Sequence, residues 1–87
     1  MSSFDSTRQA VLQVLDESLG LAGRASAFDD ATPLLGALPE LDSMAVVGVI
    51  AALEEHFSFY VGDDDIDGST FETVGTLTNF VAAKLAA

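Results

Sequence analysis

Ser43, His56 and Asp42 supply the residue types of a hydrolytic triad, but their spacing refuses the chemistry. Thirteen residues separate Ser43 from His56; along one helix that is about 20 Å of rise and about 220° of rotation, so the side chains point apart. His56 is the single histidine and falls near a helix C-terminus, where a cation complements the dipole. With no second histidine and no cysteine there is no donor set for zinc and no thiol nucleophile. The chain is expected not to be an enzyme, and no metal ligand is assigned.

The run Asp63-Asp64-Asp65-Ile66-Asp67-Gly68 matches the opening of a calcium loop of the EF-hand type, with carboxylates at positions one, three and five and glycine at six. Position twelve needs a bidentate glutamate, and Val74 stands there; Glu72 comes two residues early and Phe71 fills position nine. The segment therefore reads as a solvated acidic turn. It leaves one alternative open: an unmodified acidic helical adaptor, or a calcium-binding domain using Asp63, Asp65 and Asp67.

A third constellation is Leu41-Asp42-Ser43-Met44, at the mouth of an apolar helix. Ser43 falls in the first turn, where unpaired N–H groups and the positive end of the dipole stabilise a phosphate at its hydroxyl. Asp42 can cap the helix or help hold a magnesium ion brought by a phosphate donor. An Asp-Ser pair at a helix start is also ordinary capping, so its context decides.

That context is helical. Phe4, Val11, Leu12, Leu15 and Leu19 keep the three-and-four spacing of one face, with Ser3 as N-cap and Gly20 and Gly23 as the stop. Residues 21–42 show no sustained period and predict a long ordered loop, pinned by Phe28, Leu34, Leu35 and Leu38, with a short helical turn after Pro33. Residues 43–57 are too long for a strand in so small a chain, so their apolar run predicts a helix capped by Asp42. Few elements remain to cover it, so part of Ala45, Gly48, Val49 and Ala52 should stay accessible. A short turn is expected at 63–68. Thr73 then caps a last helix with a face of Val74, Leu77, Val81 and Leu85, Phe80 beside it and Lys84 in its final turn. The fold class is all-α: a small bundle of three main helices plus one short helix, with a long first loop, in one domain over residues 1–87.

Three Lys and Arg against 14 Asp and Glu give the 87 residues a formal charge of −11. Such a surface repels phosphate backbones and anionic lipid, and there is no apolar run of about 18 residues to span a membrane. The N-terminal residues lack the layout of a signal peptide, which predicts a cytoplasmic protein. Uncompensated negative charge also opposes compaction, so stability is expected to rise with added salt or divalent cation. Thermal melts at low and high ionic strength check this, and an unchanged midpoint contradicts it.

Three segments in order resemble the acyl carrier protein family over nearly the whole chain. Leu41-Asp42-Ser43-Met44 is similar to its Asp-Ser-Leu attachment motif, Ala52-Leu53-Glu54-Glu55-His56-Phe57 to the Glu-Glu-x-Phe end of its second helix, and Phe71-Glu72-Thr73-Val74-Gly75-Thr76-Leu77 to the opening of its last. The resemblance implies a monomeric carrier. A phosphopantetheinyl transferase, with magnesium, joins 4′-phosphopantetheine from coenzyme A to Ser43, and acyl groups travel as thioesters on its thiol. Partners are acyl-loading and acyl-transferring enzymes with basic or apolar docking faces. The acyl chain in this family tucks between the second and third helices, where Val47, Ile50, Ala51, Leu53, Val61 and Ile66 are the candidate lining.

The departures are informative. The family's Gly-x-Asp-Ser pattern has Glu40 in its glycine position, and the acidic residues that fatty-acid-synthesis carriers expose on the second helix are replaced by Ala45 and Gly48. The expected partner face is Glu40, Met44, Ala45, Gly48, Ala52 and Glu55, with steering left to Glu40, Asp42, Glu54, Glu55 and residues 63–67. This points to a specialised carrier rather than the housekeeping one. The wording also resembles, more weakly, carriers of bacterial exosortase and exopolysaccharide gene clusters.

Overall fold

The spacing between Phe4 and Leu19 produces a helix, α1, over Ser3–Leu19; α2 spans Ser43–Phe57 and α3 spans Val74–Ala86 in a computed structural model that describes residues 3–62 and 64–86. The architecture is all-α, as expected, and the described residues contain no strand, only an isolated bridge between Pro33 and Thr73. Ser3 is the first residue of α1 rather than its cap. Gly20 stops that helix in the left-handed region, at φ 64°, and lets the Leu21 N–H return to the Asp16 carbonyl at 3.0 Å. Thr73 caps α3 reciprocally with Thr76: Thr76 N donates to Thr73 Oγ1 at 3.1 Å and Thr73 N to Thr76 Oγ1 at 3.0 Å.

The turn expected after Pro33 forms as a single turn, with Ala37 N and Leu38 N donating to Leu34 O at 3.1 and 2.9 Å. A 3₁₀ turn that the sequence does not announce forms earlier, at Arg24–Ala27. Its cause is Asp16, whose carboxylate accepts from Gly23 N and Ala25 N, each at 3.1 Å, and so caps the turn from within α1. Of the turn expected at 63–68, Asp63 lies outside the described residues and Asp65 N donates to Gly62 O at 3.0 Å. A separate 3₁₀ turn follows at Gly68–Phe71, because Asp67 Oδ1 accepts from Ser69 N at 3.0 Å and serves as its cap.

α1 packs against both α2 and α3, which do not approach each other comparably. The shared core takes Val11, Val14 and Leu15 from α1, Val49 and Leu53 from α2, and Val74, Leu77 and Val81 from α3. Leu34, Leu41 and Phe71 complete it from the connections. Leu85, placed on the α3 face by spacing, is 46% exposed because the helix runs past the core. Of the four expected loop anchors Leu34 is buried, Phe28 and Leu38 are half-buried, and Leu35 is exposed; Leu21 does the anchoring instead.

The long loop is stitched to the start of α3. Leu34 N donates to Glu72 O and Leu35 N to Phe71 O, both at 2.9 Å, while Val74 N and Gly75 N donate back to Thr32 O and Asp30 O at 3.0 and 2.9 Å. At Gly75 a Cβ would stand 3.0 Å from the Asp30 carbonyl oxygen, so glycine permits the close approach. The segment from Phe71 to Leu77 is thus the seat of the loop that leads to Ser43.

Candidate functional site

Asp42 precedes α2 with extended backbone (φ −99°, ψ −176°), and its Oδ1 accepts from Ala45 N at 2.8 Å. It is the cap the sequence implies, fixed from behind by Leu41, which is 3% exposed. Ser43 is the first helical residue and is exposed. Among the described residues its hydroxyl has no hydrogen-bond partner, and its own amide and that of Met44 have no acceptor. An unengaged hydroxyl beside open amides at the positive end of a helix fits a phosphate ester at this oxygen. Ser43 and His56 lie at opposite ends of α2, so no triad is assembled.

Val49 and Leu53 turn one side of α2 into the core, which directs Met44, Val47, Gly48, Ala51 and Glu55 to solvent. Met44 is 80% exposed and Val47 is 64% exposed. Among the expected partner-face residues, Met44, Gly48 and Glu55 lie on this outer side, whereas Glu40 is half-buried and Ala45 and Ala52 are half-buried against the core; Val49, expected to stay partly accessible, is buried. Val47 and Ala51, assigned from sequence to the lining of an acyl slot, face solvent instead. Leu53 belongs to the core, and Ile50, Val61 and Ile66 are half-buried. The spacing 44, 47, 51, 55 was the available signal for the outer stripe.

The acidic groups divide into engaged and free. Arg24 pairs with Glu40 and holds its carboxyl below the usual range. Lys84 Nζ lies 2.8 Å from Asp65 Oδ2 and lowers that carboxyl likewise, and hydrogen bonds from Ser69 lower Asp67. Glu54 Oε2 accepts from Val61 N at 2.8 Å. Glu55 and Asp64 are exposed, with no side-chain bond to another of the described residues. Because folding lowers the pKa of Glu40, Asp65 and Asp67, their contribution to stability is present above the ordinary carboxylate range and is lost as pH falls below about 4. Of the three carboxylates that match the calcium-loop opening, Asp63 lies outside the described residues, and Asp65 and Asp67 serve Lys84 and Ser69. No group of three potential metal ligands occurs among the described residues.

Two grooves lie away from Ser43. One of about 470 Å³ is formed by α1 and the first 3₁₀ turn, with Leu12, Asp16 and Ala25 in its walls. One of about 250 Å³ runs between α1 and the end of α2, lined by Val14, Glu17, Ala52 and His56. Among the described residues no helix is long and apolar enough to cross a membrane.

No family model matches the chain, and no curated protein matches it. Among solved structures it is similar to the solution NMR structure of a holo acyl carrier protein from Nitrosomonas europaea. The two are 50% identical, the match covers 92% of this chain and 96% of that one, and the TM-score is 0.86.

Proposed function

Since the chain belongs to the acyl carrier protein family, we propose that Ser43 is its attachment point for 4′-phosphopantetheine and that it presents acyl groups to partner enzymes without catalysing a reaction itself. The observation that carries this is the exposed, unengaged Ser43 hydroxyl at the start of α2, in a chain half identical to a holo carrier. When attached, the arm supplies the thiol on which acyl groups are held as thioesters. The protein's own part is positional. Leu41 and the Asp42 cap fix the first turn of α2. In the transfer the Ser43 oxygen would give up its proton and bond to the phosphorus that bears the pantetheine arm, as the pyrophosphate bond of coenzyme A breaks and adenosine 3′,5′-bisphosphate leaves. The open amides of Ser43 and Met44 would stabilise the phosphodiester charge. Asp42 Oδ2, unused by the cap, is available to a magnesium ion that arrives with coenzyme A. Intact mass after coexpression with a promiscuous phosphopantetheinyl transferase tests the reading; a protein of unchanged mass refutes it.

We further read it as a specialised cytoplasmic monomer, loaded by enzymes that meet the outer stripe of α2, rather than as the housekeeping carrier of fatty-acid synthesis. Met44, Val47, Gly48 and Ala51 offer an apolar, uncharged surface, and the acid beside it is Glu55. Basic partners that depend on charge along this helix find little there. Poor turnover by a standard malonyl transferase is expected, and efficient turnover argues for the ordinary role. Placing Asp at Ala45 and Glu at Gly48 should raise kcat/KM with that enzyme about three- to tenfold, through a faster association that fades at high salt. Gly48→Glu supplies most of the gain, because Gly48 is exposed and Ala45 is half-buried.

A further inference from the structure

Resting on the reading of Ser43 above, we infer that Arg24 and Glu40 are positioning residues for Ser43: their ion pair holds the segment that delivers the serine to the start of α2. Between the seat of the loop and Ser43 the chain makes three local backbone bonds, Ala37 N and Leu38 N to Leu34 O at 3.1 and 2.9 Å and Leu41 N to Leu38 O at 3.0 Å. Leu41 is buried and Leu38 is half-buried, so apolar packing sets the depth of this run. Glu40 sits three residues before Ser43, and its Oε2 accepts from Arg24 Nη2; its Oε1 is shielded from solvent and has no partner.

Arg24 is itself held. Its Nε donates to Leu21 O at 3.1 Å, and the turn it opens is capped from α1 by Asp16 through Gly23 N and Ala25 N. A continuous series of bonds therefore leads from α1 through Asp16, Arg24 and Glu40 to the residue two before the α2 cap. The backbone at Glu40 is not left-handed, so a glutamate stands there without strain. With its charge offset by Arg24, Glu40 is better employed within the chain than as a steering charge for a partner.

The test is phosphopantetheine transfer from coenzyme A to the full chain, with kcat and KM measured for Glu40→Gln, Arg24→Gln and the exchanged pair Arg24→Glu/Glu40→Arg. A partly exposed ion pair shifts a loop population by a few-fold at most. Each single variant should therefore lower kcat about three- to fivefold with KM within about twofold, since the outer stripe of α2 is untouched; the exchanged pair should recover kcat. Amide exchange at Leu41 and Ala45 in the unmodified chain should quicken in both single variants and slow again in the exchanged pair. A KM increase confined to Glu40→Gln and worst in the exchanged pair makes Glu40 a docking charge and overturns the inference, as does unchanged kcat and exchange in all three. If the native chain accepts no phosphopantetheine, the reading of Ser43 falls by itself, and amide exchange still decides whether the pair fixes this segment.

Discussion

Ser43→Ala is expected to abolish the gain of one phosphopantetheine while leaving the melting temperature unchanged. The loss should be complete, because the proposed attachment uses the Ser43 oxygen of Leu41-Asp42-Ser43-Met44 alone. The hydroxyls of Ser26, Ser69, Thr76 and Thr78 already donate within the chain, to Gly23 O, Asp67 Oδ1, Thr70 and Thr73 carbonyls, and Val74 O respectively. Ser58 is exposed but follows the C-terminus of α2, where the dipole repels a phosphate. Stability should move by no more than about 0.5 kcal/mol, because the Ser43 side chain is exposed and bonds to nothing, and alanine is the better helix former. Intact mass and a thermal melt of the same sample check both halves. A modified Ser43→Ala protein places the attachment elsewhere, and an unfolded one makes the serine a structural residue.

How much of this was legible in the sequence depends on the range of the interaction concerned. Spacing locates α1 and α3, because Val11 and Leu15, or Val74, Leu77 and Val81, repeat within the same element, whereas length locates α2, whose run from Ser43 to Phe57 is too long for a strand. Local capping was legible too: Asp42 and Thr73 act three residues away, and Gly20 acts on its own backbone. The two 3₁₀ turns are not legible because their causes are distant in the chain or compete locally. Nothing near Arg24 in the sequence shows that Asp16 will cap a turn there, and Asp67, which reads as one more acidic turn residue, is a cap. The outer side of α2 was half legible. An unbroken apolar run gives no contrast with which to orient a helix, so from sequence Val47 and Ala51 read as inward and Ala45 and Ala52 as outward. The Arg24–Glu40 pair spans 16 residues of loop, and no periodic pattern marks it.

Phe71→Ala should unfold a large fraction of the protein at low salt. Phe71 is the largest of the fully buried side chains, 1% exposed, and its carbonyl also seats Leu35 N. Removing the ring from a packed core costs about 3–5 kcal/mol. A chain of this length has about 4–13 kcal/mol in total, with small domains near the low end. A formal charge of −11 leaves less still when screening is weak. The urea midpoint should therefore fall steeply, helical circular dichroism should drop, and added salt should restore part of it. Leu85→Ala is the control, an α3 truncation beyond the core that should cost about 0.5 kcal/mol or less. The route from Phe71 to the serine is explicit: loss of its seat frees Leu34 and Leu35, then the loop, then the segment that aims Ser43. Modification of Phe71→Ala should accordingly slow in step with the fraction unfolded and recover with salt, whereas Ser43→Ala loses modification at full stability. If Phe71→Ala melts like the native protein, the seat at the start of α3 is not what holds the loop, and the packing described for the core is wrong.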